Sequence, residues 1–335
     1  MCAVFLMKIF DKTMKKQLIA AVCCASALFA GCGQAEELDS MEENLEMSMV
    51  ASIEGSDNSG ASRYAGATPN AAAFASDDAV GMAVGDGDFV KWTFDGTDWE
   101  PEGNTIYWQD RETKYTFNAF YPYTEVTSKT AIKMPNLVTQ DGTMSCVAQR
   151  DFLVTTTSQD YGTNGVVSFT GDHAFVHVSA LVTLTLKAGT DLTSATLNKI
   201  SFSGESLVSE STYSFTEGVS ISDDGKDALN VSFTQKNMTS AGETFYFIVN
   251  TGTVALDEIK LSIDYTFGGT SYKAEASGIL GNSTDKFESG KLYSYTVTVV
   301  DQALRITGNE IKDWVNGISL NDIVIGGKEK EESQS

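Results

Sequence analysis

The chain has 335 residues, with 45 acidic against 23 basic side chains and a net charge of −22. That excess of carboxylates excludes nucleic acid as a partner, because phosphate binding needs a basic face, and it leaves lipid as the only route to a membrane surface. Two histidines and a single cysteine beyond position 32 are too few for a convincing transition-metal centre, so no metal and no cofactor is expected.

The first element is an address. Lys15 and Lys16 precede an apolar run over 18–30, then small residues and Cys32. This is the pattern of a secretory signal peptide, and the run is shorter than the ~20 residues that cross a bilayer. Its ending, Phe29-Ala30-Gly31-Cys32, resembles a bacterial lipobox, in which cleavage precedes a cysteine that is then lipidated. Residues 1–31 are therefore expected to be a signal peptide starting at Met14, and the rest of the chain to lie outside the cytoplasm. Cys2, Cys23 and Cys24 leave with the signal and Cys32 carries the lipid. Only Cys146 remains, which rules out an intramolecular disulfide. The exported part, about 300 residues, is long enough for two domains held by packing alone.

Residues 32–44 read as an acidic tether. From 45 to 54 the odd positions Leu45, Met47, Met49, Ala51 and Ile53 are apolar and the even ones mostly polar, with Val50 the exception. Alternation of period two predicts a half-buried strand. A loop rich in Gly, Ser, Asn and Asp follows over 55–66. Short strand-like runs then come at 79–84, 89–94, 105–108 and 114–121, where Tyr115, Phe117, Ala119 and Tyr121 share a face until Pro122 stops the ladder. More follow at 151–156, 165–169, 174–186, 197–202, 212–215, 228–233, 244–249, 259–267, 270–276 and 291–300. Thr, Ser, Val, Tyr and Phe dominate them, as strands prefer. Only 308–315 hints at a helical turn. The pattern predicts an all-β protein of two tandem β-sandwiches, 45–162 and 163–327, followed by a charged tail at 328–335.

Several candidate chemistries fail on spacing. His173 and His177 are i, i+4, but 172–186 is rich in Val and Thr and reads as a strand, on which their rings start about 13 Å apart, too far to share an ion. Asp86-Gly87-Asp88 and Asp223-Asp224-Gly225-Lys226-Asp227 lack the ligand spacing of a calcium loop and read first as tight turns. No nucleophile elbow or acid–base set surrounds either histidine, and Cys146, beside Ser145 and Val147, reads as a small buried hydrophobe. No catalytic residue is assigned and the protein is not expected to be an enzyme; a paired-carboxylate glycosidase is the most distant reading. Trp92, Trp99 and Trp108 would favour sugar binding only if exposed and clustered.

Arg63 stands apart. It is the only basic residue between Cys32 and Val90, and it sits in Asp57-Asn58-Ser59-Gly60-Ala61-Ser62-Arg63, the kind of segment proteases cut. A trypsin-like enzyme cutting between Arg63 and Tyr64 would release lipid, tether and the 45–53 strand together. The vacated groove, with unpaired backbone groups, would suit strand addition by another chain.

Taken in order, the lipobox at Cys32, the element ending Ala61-Ser62-Arg63, the aromatic strand from Tyr115 to Tyr123, Arg150-Asp151-Phe152-Leu153-Val154, Val167-Ser168-Phe169, His173 to Val178, Gly290 to Val297 and Ile311-Lys312-Asp313-Trp314 resemble the fimbrillins. These are the type V pilin-like lipoproteins of Bacteroidales that build surface fimbriae. The resemblance implies two transthyretin-like β-sandwich domains, export to the outer membrane as a lipoprotein, cleavage by a trypsin-like maturation protease, and polymerisation with other copies or related fimbrial subunits into an adhesive fimbria. Carried onto this sequence, Cys32 is the lipid site, Arg63 and Tyr64 the processing site, and the strand at 45–53 the one displaced. The C-terminal segment at about 303–327, with Leu304, Ile306, Ile318, Leu320, Ile323, Val324 and Ile325, is the donor, although its alternation breaks between Leu320 and Ile323. An anchor or tip subunit, and a monomeric surface lipoprotein that binds glycans or host ligands, are the alternatives.

Overall fold

A computed structural model describes residues 45–55, 73–126, 129–222, 228–252, 254–278, 280–281, 285–300 and 303–313, with side chains in the last strand through Arg305. The first half gives β1 (Ser48–Ala51), β2 (Ala79–Val84), β3 (Val90–Phe94), β4 (Trp99–Pro101), β5 (Tyr115–Tyr121), β6 (Ile132–Lys133), helix α1 (Met144–Arg150), β7 (Leu153–Gln159), β8 (Val166–Phe169) and β9 (Val176–His177). The second gives β10 (Ala180–Ala188), β11 (Thr196–Ser203), β12 (Ser211–Ser214), β13 (Gly218–Ile221), β14 (Ala228–Asn237), β15 (Glu243–Val249), β16 (Lys260–Phe267), β17 (Thr270–Ser277), β18 (Lys291–Val300) and β19 (Ala303–Asp313). The protein is all-β.

Hydrogen bonding sorts the strands into a six-stranded antiparallel sheet, β4-β3-β2-β5-β7-β9, and two four-stranded sheets, β15-β10-β18-β19 and β14-β11-β16-β17. β1 pairs with β8, and a three-stranded sheet, β13-β12-β6, draws one strand from the first half and two from the second. β8 and β9 join strands of the first half. The chain therefore passes from one set of sheets to the other between His177 and Ala180.

Local chemistry sets the corners. The β16–β17 hairpin turns on Gly268 and Gly269, both at positive φ, the backbone that a two-residue hairpin with right-handed strand twist needs. Between β3 and β4 the Asp95 carboxylate accepts from the Thr97 and Asp98 amides, an aspartate-built turn. Packing follows the alternation: Phe117, Ala119 and Tyr121 of β5 are buried in the main apolar cluster, which runs from Met47 to Val299. Phe120, on the opposite face of β5, is also buried, against Ile132, Met134, Phe152, Val154 and Val178. The second face is covered only at its Phe120 end; Thr116, on the same face, is exposed and Asn118 half-buried.

Three expectations need correction. The helical hint at 308–315 is strand as far as Asp313, because β18 offers β19 an antiparallel ladder from Lys291↔Asp313 to Val300↔Ala303; pairing overrides a weak local preference. The single strand expected at 174–186 is interrupted. His173 lies in a 3-10 turn (Gly171–His173), His177 on β9, and β10 begins at Ala180. The break occurs where the Ser289 hydroxyl donates to the carbonyls of both His177 and Val178, taking acceptors that a ladder would use. The run at 105–108 forms only an isolated bridge, Glu46↔Tyr107. Its partner, residues 45–47 ahead of β1, meets it over too short a stretch to make a strand.

Candidate functional site

The site follows from how the segment at 45–54 is held. β1 runs parallel to β8, with Ser48, Met49, Val50 and Ala51 aligned with Val166, Val167, Ser168 and Phe169. The Ser48 amide donates to the Gly165 carbonyl and the Ser52 amide to Phe169; the Phe175 amide donates to the Ser52 carbonyl and the Glu54 amide to Phe175. At the other end the Met47 amide donates to Ile106 and the Trp108 amide to Leu45. The segment is thus laced to three separate stretches of the chain.

The side chains alternate as the sequence predicts. Met47, Met49 and Ile53 are 4%, 4% and 1% exposed, while Leu45 and Ala51 are half-buried against the same cluster. Val50, the exception to the alternation, points outward and is 45% exposed. Three core side chains of this size contribute on the order of 1.5–3 kcal/mol each.

One glycine and one indole shape the seat. Gly165 has φ +69, and a Cβ there would lie 2.7 Å from the Tyr161 ring and 3.1 Å from the Glu46 carbonyl oxygen. Its own carbonyl accepts from Ser48 and also from the Trp108 indole N–H at 2.9 Å. Trp108 packs edge-on to Phe117 and Tyr161, which fixes the indole and, through it, the Gly165 carbonyl. Sequence reading missed Gly165 as a seat residue. Its neighbours in sequence are ordinary strand and turn residues, and only the fold brings Glu46 against it.

The C-terminal candidates divide. Leu304 and Ile306 lie on β19, aligned with Val299 and Val297 of β18, and Leu304 is half-buried against the main cluster. Ile318, Leu320, Ile323, Val324 and Ile325 lie outside the described residues, as do Cys32, Arg63, Tyr64, the signal peptide, the acidic tether, the charged tail and the aspartate-rich turn at 223–227.

The remaining candidates have structural explanations. The Lys129 ammonium sits at the Asp86 carbonyl and 3.6 Å from the Asp88 carboxylate, so a side-chain cation takes the place that a calcium ion would need. His177 is buried with its Nδ1 3.0 Å from the Asp151 carboxylate, whereas His173 is exposed and bonds the Thr156 carbonyl. Among the described residues, no three His, Cys, Asp or Glu are placed to share a metal. Cys146 is buried on α1, and burial pushes its thiol pKa up, away from a nucleophile's thiolate. Trp92, Trp99 and Trp108 are all buried, as core residues and not as a sugar platform.

The fold is similar to that of a candidate cell adhesion protein from Bacteroides uniformis, at 17% identity and a TM-score of 0.55, covering 81% of this chain and 99% of that one. It is also similar to a candidate cell adhesion protein from Bacteroides ovatus, at 21% identity and a TM-score of 0.54, covering 81% and 98%. No curated protein matches the sequence. A family described as fimbrillin-like matches over residues 49–314, a span that runs from Met49 in β1 through all of β19. The chain belongs to the fimbrillin-like family.

Proposed function

We propose that the chain is a structural, non-catalytic subunit of a surface fimbria, exported as an outer-membrane lipoprotein through Cys32 and supporting adhesion. A trypsin-like protease cuts it between Arg63 and Tyr64, and it then polymerises with other copies or related subunits by donor-strand exchange. The observation that carries this reading is the mismatch between how β1 is buried and how it is connected. Its side chains sit in the core, yet it joins the rest of the fold only through residues 56–72, where Arg63 lies. A cut there leaves a core strand held by non-covalent contacts alone. A vacated seat offers main-chain partners at Ile106, Gly165, Phe169 and Phe175 and apolar sockets for alternate side chains, the two requirements for strand addition. The C-terminal segment is the donor, with β19 as its stem on β18. Two domains are part of the proposal, with the boundary expected at 162–163 moved to 178–179, because β8 and β9 pair with strands of the first half.

The test is N-terminal sequencing and intact mass of the protein sheared from cells, beside an Arg63→Ala variant. A start at Tyr64 with detergent-resistant ladders, both lost in the variant, supports the scheme. Ladders that persist in Arg63→Ala would falsify it. An anchor subunit would instead keep its lipidated Cys32 uncut. The glycan-binding alternative is disfavoured by the burial of all three candidate tryptophans.

A further inference from the structure

We infer that the incoming strand is 318–324 of a second copy, in one register: Ile318 in the socket of Met47, Leu320 in that of Met49 and Val324 in that of Ile53. This rests on the strand-exchange reading above and settles the register that the sequence pattern alone leaves open. The seat imposes a spacing. Its enclosed positions are i, i+2 and i+6, at Met47, Met49 and Ile53, while the i+4 position, Ala51, is only half-buried. A replacement strand running in the same direction, which keeps the parallel ladder with β8, must put apolar side chains at i, i+2 and i+6 and can carry a polar one at i+4.

Sliding that template along 303–335 leaves one match. Leu304 and Ile306 would bring Glu310 to the third socket, and Ile323 and Ile325 would bring Glu329. Trp314 and Val315 fail at the second position, on Asn316 and Gly317, as Leu320 does on Asp322. Only Ile318, Leu320 and Val324 satisfy all three, and Asp322 then falls at the half-buried place of Ala51. The break in alternation between Leu320 and Ile323 falls at the position where the seat is only half-closed. Ile323 takes the place of half-buried Ser52, on the side of the strand where Val50 already stands exposed. A reversed strand also has one apolar match, with Leu320, Ile318 and Trp314 in the sockets of Met47, Met49 and Ile53. It would give up the parallel ladder and force an indole into a site filled by an isoleucine, an overpacking cost. Asn316-Gly317, a turn dipeptide, separates the donor from the end of β19.

The experiment titrates fluorescein-labelled peptides into the full chain cut at Arg63 and freed of its β1 fragment by gel filtration in urea below the global midpoint, then returned to buffer. The peptide 316–327 should bind. Ile318→Asp, Leu320→Asp and Val324→Asp in the peptide should each weaken it by about 100-fold or more, since each buries an unpaired carboxylate. Ile323→Asp and Ile325→Asp should change it little. Equal or greater sensitivity at Ile323 and Ile325 overturns the register while leaving strand exchange standing. Tighter binding by peptide 312–322, which holds Trp314 but lacks Val324, overturns it in favour of the reversed strand. If neither peptide binds the cut chain, the strand-exchange reading falls together with the register.

Discussion

At the scale of single residues, the seat depends on an absent side chain. Gly165 combines a left-handed backbone with close approach to Tyr161 and to the Glu46 carbonyl. Gly165→Ala is therefore expected to destabilise the fold by roughly 1–3 kcal/mol, with the loss visible in urea melts and concentrated in amide exchange at Ser48. His177 and Asp151 make a second residue-level commitment, a buried pair at the passage between the two sets of sheets. His177→Ala strips a fully buried carboxylate of its ring partner and should cost about 3 kcal/mol, read by the same melts. On the surface, Glu275 takes bonds from Lys260, Lys273 and Ser262 that hold its carboxyl down at about 2. A carboxyl depressed in the folded state binds fewer protons there than in the unfolded chain. Its contribution is complete above the unfolded value, about 4.3, and is lost as pH falls from there towards 2. The stability difference between wild type and Glu275→Gln should shrink across that window and stay constant above it. A difference that does not change with pH would show that the ion pairs do not act in solution.

At the scale of elements, the outer edge of β15 is closed by a side chain. The Gln140 amide donates to the Ile248 carbonyl and its oxygen accepts from the Ile248 amide, while the Tyr246 amide donates to Gly142. Gln140 thus acts as one residue of a neighbouring strand, and an edge that could pair with another chain is sealed. Gln140→Ala should cost on the order of 2 kcal/mol, the penalty of two unpaired backbone groups, and should speed hydrogen exchange at Ile248 in particular. Helix α1 follows directly after this seal. It spans seven residues, capped by Thr143, whose hydroxyl accepts from the Cys146 amide, too short for a 3.6-residue period to be read. The cap and Arg150 in its last turn were its only sequence signals. By contrast β2 and β18 coincide with the runs predicted at 79–84 and 291–300, because turn residues bound both and their apolar content is continuous or regularly alternating.

At the scale of the whole molecule, β1 is held in the core by hydrogen bonds and apolar contacts with residues far along the chain. After a cut at Arg63, the fragment carrying β1 should stay bound through gel filtration and leave at a urea concentration below the global midpoint. Met47→Asp or Met49→Asp should make it leave without urea, measured as fragment mass lost from the native complex. A fragment that leaves wild type at once, in water, would mean that its buried side chains contribute far less than their enclosure implies.

Strand content, the burial of Met47, Met49 and Ile53, the outward Val50 and the cores of most strands were legible in the sequence, because each is set by local periodicity and turn chemistry. Pairing was not. That β1 lies parallel to β8, that β6 pairs with β12 across the halves, that the 174–186 run breaks at Ser289, and that Gly165 must lack a side chain all depend on residues far apart in the chain meeting in space. Period-two alternation says which side chains face inward; only the tertiary structure decides what they face, and with it the spacing of sockets that a replacement strand has to match.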